Sequence, residues 1–420
     1  MHSTRATMTR RTFLKTSTAV AAGTAIGGVP ALGPAQPKEI VIGWVATLTG
    51  PGATWGTKSL DGTKFAVDEF NRQGGVKALG GARLRLVTYD NETKVDLTRT
   101  LMEKLILEHR PVAVLGNIMS PATMVGTQVS ERHQVPMVVV NSTMDEITER
   151  GLKYSFRVTG KAGDFYARSL GEFLSWAIEK TGKRPKMAAI LALQGWERAV
   201  KTYEDWVRAA KIELHSKTMY APAQDDFTVL LSKYKADGVE VVMGLNYPKD
   251  AVRIYQNAKT LDYNPMAFTG QPGGYNTPEF VNALKKDAEY AISVDRFPLD
   301  LTGVPKIREV NDRFKARFGY DLEDSSANAL GAVSAVVDAL ERAKSTDREA
   351  VREALAQTDL KIGDRLVVEP NGIKFNQAGD NVRLIAPVIQ ILQGQKRIVW
   401  PESIATSRLV WPVPKWNERA

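Results

Sequence analysis

From Lys38 onward, short apolar runs alternate with stretches in which apolar residues recur every three or four positions, the periods of buried strands and one-sided helices. The spacing predicts a strand over 40–47, a helix over 57–73 closed by Gly74 and Gly75, and a strand over 83–89. A helix follows over 96–108, with Leu101, Leu105 and Ile106 on its apolar side. Residues 112–115 form a continuous apolar run, as parallel strands covered on both faces do. Ser120-Pro121-Ala122-Thr123 then reads as a helix start, with Ser at the N-cap and Pro at the first helical position. A strand over 137–140 empties into Asn141-Ser142-Thr143, and a short strand follows over 154–158.

A second series begins with a helix over 164–179, a strand over 187–193 and a helix over 197–210. Strands over 212–219, 239–243 and 266–269 are separated by helices over 227–235 and 248–258, and 288–294 closes the series. Two consecutive runs of this alternation predict an α/β protein of two doubly wound lobes rather than one large sheet. Residues 306–318, 326–344 and 347–357 are nearly all helical and have no sheet of their own, so they are expected to pack on the first. A strand pair over 365–368 and 382–392, around the turn Pro370-Asn371-Gly372, would return the chain to the second lobe. From Lys396, the stretch holding Trp400, Trp411, Trp416, Pro401, Pro412 and Pro414 has no period and reads as an extended surface segment anchored by its indoles. The expected lobes are 38–160 plus 295–363 and 161–294 plus 364–395, with a tail over 396–420. Crossings near Gly160, Val294 and Gly363 would make a three-crossover hinge with the site in its cleft.

The N-terminus is a separate piece. Thr9-Arg10-Arg11-Thr12-Phe13-Leu14-Lys15 precedes a mildly apolar run over 16–29 and Pro- and Ala-rich sequence to Gln36. Basic head, apolar middle and small-residue exit predict a twin-arginine-type export signal over 1–35, cleaved near Ala35. The run is too short and too rich in Gly and Thr to span a bilayer, which places the mature protein, soluble, in the periplasm. Losing Arg5, Arg10, Arg11 and Lys15 takes the formal charge from +9 to +5. Without a dense basic block this is no nucleic-acid footprint. The absence of cysteine removes disulfides and thiol chemistry, and four scattered histidines lack metal-ligand spacing, so no metal or cofactor is expected.

The candidate chemistry lies in two loops. Neighbouring strands end at Ser120 and at Thr143 on one edge of a sheet, where open α/β sheets bind ligands. A helix opening there offers unpaired N–H groups and partial positive charge, which suit a carboxylate. The turn from Gly50 to Gly56 resembles a dinucleotide fingerprint, but its spacing is off by one and Trp55 fills the space a pyrophosphate needs. It reads better as a tight turn presenting Trp55 to the cleft. No G-x-S-x-G, H-E-x-x-H or P-loop occurs, so the reading is a binding protein and not an enzyme.

In order and spacing, several segments together resemble the periplasmic solute-binding proteins of branched-chain amino-acid ABC transporters, the Leu/Ile/Val-binding type. They are IGWVATLTGPGATWG, FAVDEFNRQGGV, LRLVTYDNET, PVAVLGNIMSPAT, VPMVVVNSTMDEIT, YSFRVTG, AQDDFTVLL and GVEVVMGLNYPKDA. The resemblance implies two α/β lobes closing on a ligand, a membrane permease as partner, and a monomer. It implies that Ser120 and Thr143 hold a ligand carboxylate, that the Asn141 carbonyl takes an α-ammonium, and that Ile118 and Met119 share that loop. Trp55 and Trp196 match positions that cover the ligand side chain. Where amino-acid binders place an acid against the ammonium, this chain offers Asn246, Tyr247 and Gln271. The expected ligand is therefore an amino acid or a related carboxylate, with a neutral aromatic or aliphatic body favoured and Tyr275 added to the aromatic set. A ligand-sensing module of the same fold is the alternative.

Overall fold

The computed structural model describes residues 38–222, 224–297, 305–369 and 371–419. The expected export signal, its cleavage site near Ala35 and Pro370 of the expected turn lie outside them. The first lobe opens with β1 (Glu39–Ala46), α1 (Ala53–Arg72), β2 (Arg83–Asp90), α2 (Val95–His109) and β3 (Ala113–Gly116). It continues through α3 (Ser120–Arg132), β4 (Met137–Val139), α4 (Glu146–Glu149) and β5 (Ser155–Arg157). All five strands are parallel, in the order β2-β1-β3-β4-β5. Every residue of β3 and β4 is buried, because helices cover both faces of the sheet. The chain steps to one side of β1 for β2 and to the other for β3, and this reversal leaves a crevice at the carboxyl ends of β1 and β3.

The second lobe follows through a π-helical turn (Ala162–Ala167) and α5 (Arg168–Thr181) into β6 (Met187–Leu193), α6 (Glu197–Ala209) and β7 (Glu213–Tyr220). Then come α7 (Thr228–Asp237), β8 (Val241–Leu245), α8 (Pro248–Thr260), β9 (Ala267–Gly270), α9 (Pro278–Leu284) and β10 (Ile292–Val294). The order β7-β6-β8-β9-β10 repeats that of the first sheet and puts a second crevice at the ends of β6 and β8. The chain returns to the first lobe as α10 (Pro305–Phe318), α11 (Asp324–Ala343) and α12 (Arg348–Ala356). α11 is buried on nearly all sides and rich in Ala and Ser, so it fits between the first sheet and α1.

Four details differ from the sequence expectation. Residues 365–368 form no strand; β11 (Asp359–Leu360) pairs instead with β12 (Ile373–Lys374). Leu366, Val367, Val368, Ile373 and Phe375 join the first lobe's core, so the third crossing falls after Phe375 rather than at Gly363. Their apolar side chains bury more surface there than an exposed linker would. β13 (Val388–Leu392) is the part of 382–392 that is strand, antiparallel to β10. The tail expected from 396 begins as β14 (Gln395–Trp400), the edge strand of the second sheet. Beyond it Trp411 packs against one face of that sheet and Trp416 against the other, with indole N–H groups donating to Lys183 and Tyr263 carbonyls.

Candidate functional site

The two crevices face each other across a cleft of two adjoining chambers, an outer one of about 170 Å³ and an inner one of about 40 Å³. Ser120, Thr143, Trp196 and Tyr247 line both. On the first lobe Ser120 is the first residue of α3, with Met119 in the cap position. Its Oγ caps nothing in its own helix but accepts the Met144 N–H at 3.2 Å, which ties the two loops together and leaves its own hydrogen free to donate. Ser142 braces the loops from behind, its hydroxyl reaching the Asn117 carbonyl at 2.8 Å. The Thr143 hydroxyl makes no hydrogen bond among the described residues. Two hydroxyls and the N-terminus of a thirteen-residue helix thus converge on one cavity, a donor-rich arrangement of the kind that suits an anion.

Trp55, in the first turn of α1, and Ile118 line the inner chamber, as does Asn141. The Asn141 amide is committed inward, donating to Ser59 Oγ at 2.7 Å and accepting from Asn328 at 2.7 Å. Met119 stands just outside, its sulfur 3.6 Å from the Tyr247 hydroxyl of the opposite lobe. Trp55 and Trp196 do not face one another over an open gap. The Tyr247 ring lies between them, edge-on at 4.7 Å to Trp55 and 6.4 Å to Trp196.

Asn246, Gln271 and Tyr275 are not in the cleft. The Asn246 amide donates to the Leu191 carbonyl at 3.0 Å and accepts from the Tyr275 hydroxyl at 2.6 Å, binding the ends of three strands inside the second lobe. Gln271 donates to the Ala162 carbonyl at 3.0 Å and so fastens β9 to the first crossing. Both amides are buried, and their partners are backbone and phenol groups that would otherwise be left unpaired.

The sequence reading missed Arg296, Asp145 and Arg198. Arg296 follows β10 at the second crossing, is buried, and lines the inner chamber. Its Nε and Nη2 bind Asp324 at 2.8 and 2.7 Å, and its Nη1 donates to the Asn141 carbonyl at 3.1 Å. Burial is the largest single influence and lowers its pKa, but the charge and hydrogen bond of Asp324 together with Tyr166 and Asp295 outweigh it and raise the pKa. A lone arginine beside a buried strand at an expected crossing was a usable signal, because buried arginine is nearly always paired. At the outer rim Arg198 of α6 pairs with Asp164 of its own lobe at 3.0 Å and reaches across to Asp145 at 3.6 Å and to Glu149, so the lobes are pinned together. Burial pushes the Asp145 carboxyl up even though it accepts the Gly163 and Asp164 N–H groups.

Against known proteins, the periplasmic binding protein family model matches residues 39–384, and a twin-arginine translocation pathway signal sequence matches 7–27. The export expectation is thereby borne out. Among the described residues no helix is long and apolar enough to cross a membrane. The Leu/Ile/Val-binding protein homolog 7 of Brucella suis is 28% identical over 89% of this chain and 94% of its own length. Among solved structures, the branched-chain amino acid transporter substrate-binding protein LivJ of Streptococcus pneumoniae, in complex with isoleucine, is similar in fold. Its TM-score is 0.75 at 21% identity, over 89% of this chain and all of that one. A solute-binding protein from R. palustris in complex with benzoate reaches 0.74 at 17% identity, over 90% of this chain and 97% of its own. With two α/β lobes around a shared cleft and a family match spanning both, the chain belongs to the periplasmic binding protein family.

Proposed function

We propose that the protein is the extracytoplasmic substrate-binding component of an ABC importer, a monomer that captures a small carboxylate by cleft closure and presents it to a membrane permease. The observation that carries this is the convergence of the Ser120 and Thr143 hydroxyls with the α3 N-terminus on one cavity, opposite Trp196 and Tyr247 of the other lobe. The hydroxyls and helix end hold the charge, and Ile118, Trp55 and Tyr247 cover the body. The isoleucine and benzoate carried by the two fold neighbours are both carboxylates with apolar bodies, which agrees with this division of labour. No bond is made or broken; affinity comes from charge-assisted hydrogen bonds and apolar burial.

The test is calorimetric titration of the mature protein with branched-chain and aromatic carboxylates. Ser120→Ala and Thr143→Ala should each cost about 1.5–3 kcal/mol of binding, as for hydrogen bonds to a charged group. Unchanged affinity in both folded variants would remove the carboxylate site from these loops.

A further inference from the structure

Resting on the carboxylate reading above, we propose that Arg296 sets the ligand class, admitting carboxylates that bring a further acceptor oxygen, such as hydroxy and oxo acids, and turning away free α-amino acids. The guanidinium carries five N–H groups. Asp324 accepts the Nε hydrogen and its same oxygen lies 2.7 Å from Nη2 as an ion pair, while the Asn141 carbonyl takes one hydrogen from Nη1. The remaining hydrogen on each terminal nitrogen has no acceptor among the described residues, and the side chain lines the inner chamber with Ser120 and Thr143. Asp324 does not share that position. It lines a separate cavity behind Trp55, where its other oxygen accepts the Ser325 hydroxyl at 3.1 Å.

The neighbouring groups are donors as well. The Trp55 indole N–H is buried without a partner among the described residues. A Cβ added to Gly273 would meet Arg296 Nη2 at 3.5 Å and Trp55 Cε2 at 3.7 Å, so the guanidinium and the nitrogen-bearing edge of the indole come together over this glycine. Ser120 Oγ accepts the Met144 N–H and keeps its own hydrogen to donate. The Asn141 carbonyl, on the lining of this chamber, already accepts from the guanidinium. An α-ammonium would bring three donors and a positive charge beside the guanidinium, where the lining supplies hydroxyl oxygens such as that of Thr143 but, among the described residues, no carboxylate. A hydroxyl or oxo oxygen at the same carbon would meet the spare guanidinium hydrogens instead. In the outer chamber Asp145 and Glu197 already accept backbone N–H groups, and Glu146 alone of the lining acids has an uncommitted carboxylate.

The experiment compares leucine and phenylalanine with their hydroxy, oxo and deaminated analogues and with the corresponding alcohols, each titrated into the mature protein by calorimetry. The hydroxy and oxo acids should bind about ten-fold or more tightly than the amino acids, as expected when a charge-assisted bond replaces a like-charge contact. The double variant Arg296→Gln, Asp324→Asn removes both charges together and should narrow that ratio to about three-fold or less, mainly by weakening the hydroxy and oxo acids. Where that variant does not fold, Arg296→Lys should keep the rejection of amino acids while losing affinity for the hydroxy acid, because it keeps the charge and loses the fork. Amino acids binding as tightly as their analogues in the parent protein, through Glu146 or otherwise, would overturn the proposal, as would a ratio unchanged in the double variant. Alcohols binding as well as the acids, or no response to any acid, would overturn the carboxylate reading itself and this inference with it.

Discussion

Two buried acids make the stability of this protein depend on pH through residues that touch no ligand. Burial pushes the Glu369 carboxyl up to about 8, only partly offset by its own and the Val368 backbone N–H groups. Burial, reinforced by the charge of Asp324, raises Glu323 to about 7. Each pKa is higher in the folded chain than the ordinary value of 4.5. Below 4.5 both states carry the proton and nothing is lost; as pH rises from there toward 8, the unfolded chain ionises first and folding weakens. Glu369→Gln should therefore raise the melting temperature clearly at pH 8 and change it little at pH 4, measured by thermal scans at both. Equal shifts at the two pH values would show that Glu369 is not held neutral. At this scale the sequence was legible for Ser120, Thr143 and Trp55, because strand ends and turns fix where such side chains emerge. It was not legible for Asn246 and Gln271, whose amides could face either way and turned toward unpaired groups brought in by other strands.

The elements are held to the site by close backbone approaches. A Cβ on Gly56 would stand 1.5 Å from the Thr47 carbonyl oxygen, so the first turn of α1 rests directly on the end of β1. Gly56→Ala must push α1 outward and carry Trp55 with it. It should destabilise the fold by about 1–3 kcal/mol or more, the usual cost of overpacking, and weaken ligand binding as well. Denaturant unfolding and titration of one preparation would check both, and full stability with native affinity would show that α1 can slide. The glycine-rich turn was visible in the sequence, but the close approach was not, since Thr47 and Gly56 meet only when β1 and α1 pack. The strands were similarly clear where apolar runs are continuous, as in β3 and β6, and unclear where 365–368 gave up pairing for the first lobe's core.

At the scale of the whole molecule, side chains of the two lobes meet across the cleft. Tyr247 touches Trp55 and Met119, and Arg198 reaches Asp145 and Glu149. Binding should draw the lobes together, so X-ray scattering of the mature protein should give a smaller radius of gyration with saturating ligand than without. Identical curves would argue for a rigid scaffold. Arg198 is 41% exposed at its side chain, so water screens its pairs and each contributes little to folding. Its expected effect is kinetic: Arg198→Ala should speed ligand release by less than about ten-fold and leave thermal stability of the unliganded protein nearly unchanged. Stopped-flow Trp fluorescence would check this, and an unaltered release rate would show that the rim pairs do not hold the cleft shut.

Local patterns by themselves determined the alternation of strands and helices as far as β10, the repetition of one winding in two lobes, the export signal, and the two hydroxyl loops at a strand edge. These follow from patterns within a few residues, where backbone geometry dictates which side chains share a face. Only the tertiary structure decided where the chain makes its third crossing, that the tail opens as an edge strand and spreads over both faces of a sheet, and which polar groups face the cleft. Arg296 and Asp324 lie 28 residues apart, and Arg296 and Asn141 lie 155 apart. A charge finds its partner only after the lobes have packed, so a lone arginine beside a buried strand marks a paired cation without naming its partner.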